Sequence, residues 1–148
     1  MATRSMTLAN QKATEALAGQ LAKLTSPPCT LCLDGPLGVG KSVFARAFLR
    51  AYGITEDIPS PTFTLVQTYS VADITLWHVD AYRLETPDEA LQFGLLDAFD
   101  HAIVLLEWPG KIAQVLPDDR IDIFIQRGQE GHQRVIDFVS DAFDLSAL

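Results

Sequence analysis

The sequence has little positive charge, and this scarcity limits what the protein can bind by itself. It carries 11 lysine and arginine residues against 19 aspartate and glutamate residues, which gives a net charge of −8. A protein that holds nucleic acid unaided needs a basic face, because each neutralised phosphate requires a cation. We therefore expect that the protein does not bind nucleic acid by itself. A local basic patch is still compatible with this net charge.

Long hydrophobic runs are also missing. The longest strictly aliphatic run, residues 102–106, is far shorter than the roughly 20 residues that cross a bilayer. The first residues include one arginine and no apolar segment of the kind that directs secretion. We expect a cytoplasmic protein without membrane contact. The 148 residues suit a single domain, with loose termini at 1–7 and 140–148.

Cysteine is equally scarce. The two cysteines, Cys29 and Cys32, form a C-x-x-C pattern, but no second pair of cysteines or histidines is present to complete a zinc site. A redox C-x-x-C usually opens a helix, whereas these residues enter a predicted strand. We interpret them as two inert, buried thiols.

The sequence does contain a glycine-rich loop between a predicted strand and a predicted helix. Residues 35–42 fit the pattern G-x-x-x-x-G-K-[ST]. Glycines at these turns let backbone N–H groups approach a triphosphate. Lys41 can reach the β- and γ-phosphates, and the Ser42 hydroxyl can bind Mg²⁺. The predicted strand 30–34 and helix 41–52 supply the context that a phosphate-binding P-loop requires.

A P-loop also needs a carboxylate at the end of a neighbouring strand to hold the metal. Glu107 follows the apolar run 103–106, and Asp80 follows the predicted strand 74–79. That strand pairs with residues 62–69 in a predicted hairpin. Both carboxylates could face one metal, or Asp80 could position the attacking water.

Five residues near these motifs have roles that the sequence leaves open. Thr62 and Thr64 follow a proline-stiffened loop and either sense the γ-phosphate or simply favour a strand. Arg83 either neutralises charge in the transition state or pairs with a nearby glutamate. His78 is interpreted as structural or as a hydrogen-bond donor, and Trp108 as either core or binding surface.

Guanine specificity is not indicated, because the sequence lacks Asn-Lys-x-Asp, the usual guanine-recognition element. We therefore expect ATP rather than GTP. Three classes of function fit a P-loop: a slow ATPase, a small-molecule kinase, and a nucleotide-dependent binding module. The kinase is disfavoured, because so short a chain has no obvious lid or acceptor domain.

Four motifs, taken in order, resemble the TsaE (YjeE) family of bacterial P-loop ATPases, which are needed to form threonylcarbamoyladenosine in tRNA. They are the loop 35–42, Ser60-Pro-Thr-Phe-Thr-Leu-Val66, His78-Val-Asp-Ala-Tyr-Arg-Leu84 and Leu106-Glu-Trp-Pro109. The similarity extends over roughly residues 8–139. Two departures are modest: Pro36 stands where the family commonly has Asp, and Ser42 replaces a more usual Thr.

The resemblance implies an α/β P-loop NTPase fold: a mostly parallel central sheet with an inserted antiparallel hairpin and helices on both faces. It implies ATP and Mg²⁺ as cofactors. It also implies partners of the TsaB and TsaD type, through which the protein would act on tRNA only indirectly. The leading hypothesis is therefore a slow ATPase subunit of a tRNA-modifying assembly.

The same resemblance implies roles for individual residues. Lys41, Asp80 and Glu107 would be catalytic, with Ser42 and Glu107 on the metal. Thr14 would lie near the nucleotide base, and Thr62 would belong to a nucleotide-responsive loop. The remaining nucleotide contacts would come from the P-loop residues Gly35, Leu37, Gly38, Val39, Gly40, Lys41 and Ser42.

Overall fold

A computed structural model describes residues 2–59 and 65–148. The strands are β1 (Ala2–Leu8), β2 (Cys29–Asp34), β3 (Val66–Val71), β4 (Ile74–Asp80), β5 (Ile103–Glu107), β6 (Ile121–Arg127) and β7 (Arg134–Ser140). The helices are α1 (Gln11–Leu24), α2 (Lys41–Tyr52), α3 (Pro87–Leu91) and α4 (Leu95–His101), and a 3₁₀ segment covers Pro109–Val115. The expectations that concern Ser60 to Thr64, including Thr62 and Thr64, lie outside the described residues.

The strands form one seven-stranded sheet in the order β1-β7-β6-β2-β5-β4-β3. The three central pairings, β6–β2, β2–β5 and β5–β4, are parallel, whereas β1–β7, β7–β6 and β4–β3 are antiparallel. The predicted β3–β4 hairpin is confirmed. The prediction of a mostly parallel sheet is not confirmed. At the edge opposite the β3–β4 hairpin, β6, β7 and β1 form an antiparallel block.

Side chains alternate between two hydrophobic cores on the two faces of the sheet. Along β2, Leu31 and Leu33 join the core beneath α1 and α2, while Cys32 joins the core beneath α3, α4 and the 3₁₀ segment. β5 is buried on both faces over its whole length, as an apolar central strand predicts. Phe124 on β6 is an exception among the large apolar side chains of the central strands, since it is 38% exposed.

Both chain ends differ from the expectation of loose termini. Ala2–Leu8 forms β1, which pairs with β7 along seven residues. After β7, the Ser140 hydroxyl accepts hydrogen bonds from the backbone N–H groups of Ala142 and Phe143. Leu145 is then only 3% exposed in the core. The residues at the two ends have no strong periodicity that predicts a helix or a strand. Their structure depends on tertiary contacts, such as the pairing of β1 with β7.

Helix boundaries follow the local signals in the sequence. The Asn10 side chain caps α1 by accepting from the backbone N–H of Ala13 at 3.0 Å. Gly53 ends α2 in the left-handed region, and Gly94 separates α3 from α4 in the same way. At the start of α3 the Thr86 side chain makes no cap hydrogen bond, and the Glu89 carboxylate accepts from the backbone N–H of Glu85.

Two leucines near the junction of α3 and α4 do not pack inward. Leu91 is 37% exposed and Leu96 is 48% exposed, whereas Leu95 is fully buried. Because the break at Gly94 rotates α4 relative to α3, the apolar residues of the two helices do not form one continuous stripe. In the described part of the chain, no helix is long and apolar enough to span a membrane.

We predict that the two cysteines are unreactive in the folded protein. Both are buried free thiols, and burial raises the pKa of Cys29 and of Cys32 to about 12. At pH 8 only about one thiol in ten thousand would be ionised, against roughly a quarter for an exposed thiol. A thiol reagent should therefore react at least about 100-fold more slowly with native than with urea-unfolded protein. Fast labelling of one thiol in the native state would contradict this.

Candidate functional site

The site is built where parallel strands end together. β2, β5 and β4 run in the same direction, and their register places Leu33 beside Glu107 and Glu107 beside Asp80. The carboxyl ends of these strands therefore bring two acidic side chains to one edge of the sheet, next to the P-loop that leaves β2. This is the edge at which open parallel sheets bind ligands.

The P-loop connects β2 to α2 and passes very close to β6. The backbone N–H of Gly35 donates to the Asp34 carboxylate at 2.9 Å. A Cβ atom on Gly35 would lie 2.4 Å from the carbonyl oxygen of Ile125, and the φ angle of Gly35 is +153°. Space and backbone conformation both require glycine at this position. The neighbouring Leu37 is 75% exposed at the tip of the loop.

Lys41 opens α2 and turns back into the loop. Its Nζ donates to the carbonyl oxygen of Gly35 at 2.7 Å and lies 3.3 Å from the centre of the Trp108 ring. Lys41 is only 5% exposed. Burial lowers the pKa of the Lys41 ammonium, whereas the carboxylates of Glu107, Asp34 and Asp80 oppose that shift.

Glu107 lies between two polar side chains. Its Oε2 is 2.6 Å from His78 Nε2, and its Oε1 is 3.5 Å from the Ser42 hydroxyl. Glu107 is 4% exposed and His78 is fully buried. The pair formed by Ser42 and Glu107 offers only oxygen atoms, which is the donor chemistry that Mg²⁺ prefers.

Asp80 and two aromatic residues complete this side of the site. Asp80 is 6% exposed and accepts a hydrogen bond from the backbone N–H of Tyr82 at 2.9 Å. The Tyr82 and Trp108 rings lie 5.0 Å apart. Trp108 adopts the left-handed backbone conformation at φ 61° and ψ 53°, an uncommon state for a bulky residue that concentrates at functional sites. The alternatives left open for Trp108 are thus resolved: it faces Lys41 and lines the site.

These residues surround one open cavity of about 430 Å³. Its lining includes Leu37, Gly38, Gly40, Lys41, Ser42, Val43, Asp80, Tyr82, Glu107 and Trp108. The described residues contain no group of three or more His, Cys, Asp or Glu side chains arranged around a metal. Mg²⁺ in nucleotide sites commonly uses one or two protein ligands together with phosphates and water, so the oxygens of Ser42 and Glu107 fit such an ion.

A second, smaller cavity of about 160 Å³ lies on the other side of the P-loop. It shares Gly40 and Val43 with the first, and its lining includes Gln11, Thr14, Val39, His132 and Arg134. The Thr14 hydroxyl is buried there without a hydrogen-bond partner among the described residues. Arg134 on β7 donates to the Val39 carbonyl at 2.6 Å, so the antiparallel block supports the P-loop directly.

The structure therefore brings together most of the residues singled out from the sequence. Gly35 lies at the start of the P-loop, beside β6. Thr14 lines the second cavity rather than the first. Val39 has a fully buried side chain, so only its backbone is available to a ligand. No sequence pattern pointed to Arg134 or His132 as residues of the site. The only sequence signal for the contact between Trp108 and Lys41 was the position of Trp108 directly after Glu107.

The chain matches the protein family described as "Threonylcarbamoyl adenosine biosynthesis protein TsaE" over residues 8–136. The chain belongs to the TsaE family. A TsaE from Bacillus subtilis is 35% identical over 127 residues, which is 85% of this chain and 79% of that protein. A TsaE from Rickettsia felis is 32% identical over 142 residues, covering 95% of this chain and 82% of the relative.

A solved structure has the same fold. The crystal structure of Bacillus subtilis YdiB superposes with a TM-score of 0.78 at 29% identity, over 94% of this chain and 86% of that one. The resemblance that the four motifs indicated is thereby confirmed at the level of the TsaE family and its α/β fold.

We predict that Gly35→Ala destabilises the protein more than Gly40→Ala does. Both glycines have positive φ angles, but a Cβ on Gly40 would meet nothing within 4 Å. Gly40→Ala should cost about 1–3 kcal/mol of unfolding free energy from backbone strain. Gly35→Ala should add about 1–3 kcal/mol, because its Cβ collides with the Ile125 carbonyl. Urea unfolding of the two variants measures the difference, and equal losses would contradict the close approach.

Proposed function

We propose that this protein is a Mg²⁺-dependent ATPase that serves threonylcarbamoyladenosine formation in tRNA. The supporting observation is the convergence of Lys41, Ser42, Asp80 and Glu107 on one cavity beside a glycine loop. Each residue type matches a task of phosphoryl transfer: a cation for phosphates, oxygens for the metal and a carboxylate for water.

Lys41 would bind the phosphates by exchanging its contact with the Gly35 carbonyl for one with a phosphate oxygen. Trp108 would remain behind the ammonium as a flat support. Ser42 and Glu107 would hold Mg²⁺, which supplies positive charge against the phosphates when bound. Asp80, with one oxygen held by the Tyr82 N–H, would orient the attacking water and accept its proton.

The nucleotide base would lie toward the second cavity. The Thr14 hydroxyl is buried there with no partner among the described residues, and a buried hydroxyl without a partner is costly. A polar edge of adenine would satisfy it. The first cavity would then hold the phosphates, with Gly38 and Gly40 between the two compartments and Thr62 in a loop that responds to the γ-phosphate.

The proposed partners rest on the role for which the family is named. The relatives are named for tRNA threonylcarbamoyladenosine biosynthesis, and this chain, with a net charge of −8, is poorly suited to hold tRNA alone. We propose that it works in the cytoplasm on a complex of TsaB- and TsaD-type proteins that contacts the tRNA. ATP binding would favour one docking state and hydrolysis would release it.

We predict that Glu107→Gln abolishes Mg²⁺-dependent hydrolysis while metal-free nucleotide binding changes little. The substitution keeps the shape and removes the charge that would hold the metal, so turnover should fall by roughly 100-fold or more. Glu15→Gln, an identical change at an exposed position on α1, is the matched control. Release of both ADP and free phosphate supports an ATPase, whereas ADP without free phosphate in the presence of an acceptor would indicate a kinase.

We predict that modification of tRNA becomes repetitive only when this protein and hydrolysable ATP are present. The assay combines TsaB, TsaD, the enzyme that forms the carbamoyl-adenylate, and tRNA, and it counts modified tRNA per complex. Wild-type protein should support many turnovers, and Lys41→Ala and Glu107→Gln should support about one. Wild-type rates with either variant would refute the proposed use of ATP.

A further inference from the structure

The carboxylate of Glu107 has its two oxygens assigned to two different neighbours. Oε2 lies 2.6 Å from His78 Nε2, and Oε1 lies 3.5 Å from the Ser42 hydroxyl. His78 is an interior residue of β4, paired in register with Leu105 of β5, and its ring is fully buried. A rigid strand therefore fixes one oxygen of the carboxylate and leaves the other toward the P-loop helix.

The chemistry of the pair determines which way the hydrogen bond runs. An ionised carboxylate only accepts hydrogen bonds, so the proton of this contact belongs to His78 Nε2. His78 Nδ1 is buried with no partner among the described residues. A buried N–H without a partner is costly, so the tautomer that fits this position has its N–H on Nε2, facing the carboxylate.

A fixed Glu107 matters because a strong competitor lies nearby. The Glu107 carboxylate and the Lys41 ammonium line the same cavity, and the carboxylate raises the pKa of that ammonium against the effect of burial. A carboxylate free to rotate could turn toward that ammonium and pair with it. Such a pair would occupy both the group proposed to bind phosphate and the group proposed to bind metal.

We propose that His78 is a positioning residue that holds Glu107 Oε2 and so presents Oε1, together with the Ser42 hydroxyl, to the metal. This inference rests on the proposed Mg²⁺–nucleotide function and adds to it a residue that does not itself touch the metal or the nucleotide. Outer partners of this kind orient metal ligands, and their loss typically weakens metal binding by about 10–100-fold.

The test compares two substitutions of His78 that differ in where they place an N–H group. The amide nitrogen of His78→Gln can occupy the position of Nε2 and donate to Glu107. The shorter side chain of His78→Asn places its amide near Nδ1 and cannot reach. Binding of Mn²⁺ to each protein, loaded with a non-hydrolysable ATP analogue, is measured by electron paramagnetic resonance of the free ion, and analogue binding is also measured in EDTA.

We expect His78→Asn to weaken Mn²⁺ binding by about 10-fold or more, with metal-free nucleotide binding within about twofold of wild type. His78→Gln should stay within about threefold of wild type in both measurements. Should His78→Asn fail to fold, His78→Leu fills the same space without a donor and takes its place.

The outcomes separate this inference from the function on which it rests. Wild-type Mn²⁺ affinity in His78→Asn would overturn the positioning role alone, and so would equal losses in Asn and Gln, which would indicate packing. Failure of the wild-type protein to bind Mn²⁺ with the nucleotide would overturn the proposed function, and this inference with it.

Discussion

The parallel register of β2, β5 and β4 is the constraint on which the site depends. Because the three strands run the same way and end together, Asp34, Glu107 and Asp80 reach one edge of the sheet. A shift of one residue in β5 would turn Glu107 to the opposite face. β5 pairs in parallel with β2 on one side and with β4 on the other, so the two ladders together hold Glu107 in its position.

Charged groups are buried around the cavity, and each has an arranged partner. Lys41, Asp80 and Glu107 are all less than 10% exposed, and an isolated buried charge would cost several kcal/mol. Lys41 therefore binds a carbonyl oxygen and an aromatic face, Asp80 binds a backbone N–H, and Glu107 binds His78. In the proposed function a ligand fills the cavity between these groups and exchanges one contact, that of Lys41 with the Gly35 carbonyl, while the others stay in place.

Much of this arrangement could be predicted from the sequence, because it depends on short motifs. The strand, glycine loop and helix around Lys41, the cap at Asn10 and the break at Gly94 each depend on residues a few positions apart. The edges of the sheet could not be predicted in this way. β1 forms because residues 2–8 find a partner in residues 134–140, and no short pattern encodes a pairing across the whole chain.

The same limit applies to the site. Glu107 and Asp80 could be placed beside the P-loop, since each ends a predicted strand. The support that Arg134 gives to Val39 depends on how the β6–β7 hairpin lies against the loop, which is a matter of tertiary packing. The contact between Lys41 and Trp108 likewise depends on the left-handed backbone of Trp108. No sequence rule predicts that conformation for the tryptophan of Glu-Trp-Pro.

The pairing of β1 with β7 also sets an order of events during synthesis. Residues 2–8 are synthesised long before their partner strand, Arg134–Ser140. Contacts between segments so far apart in sequence form late, because a large loop must close first. The nascent β1 segment therefore waits with an unpaired edge, and the sheet can be completed only after β7 has been synthesised.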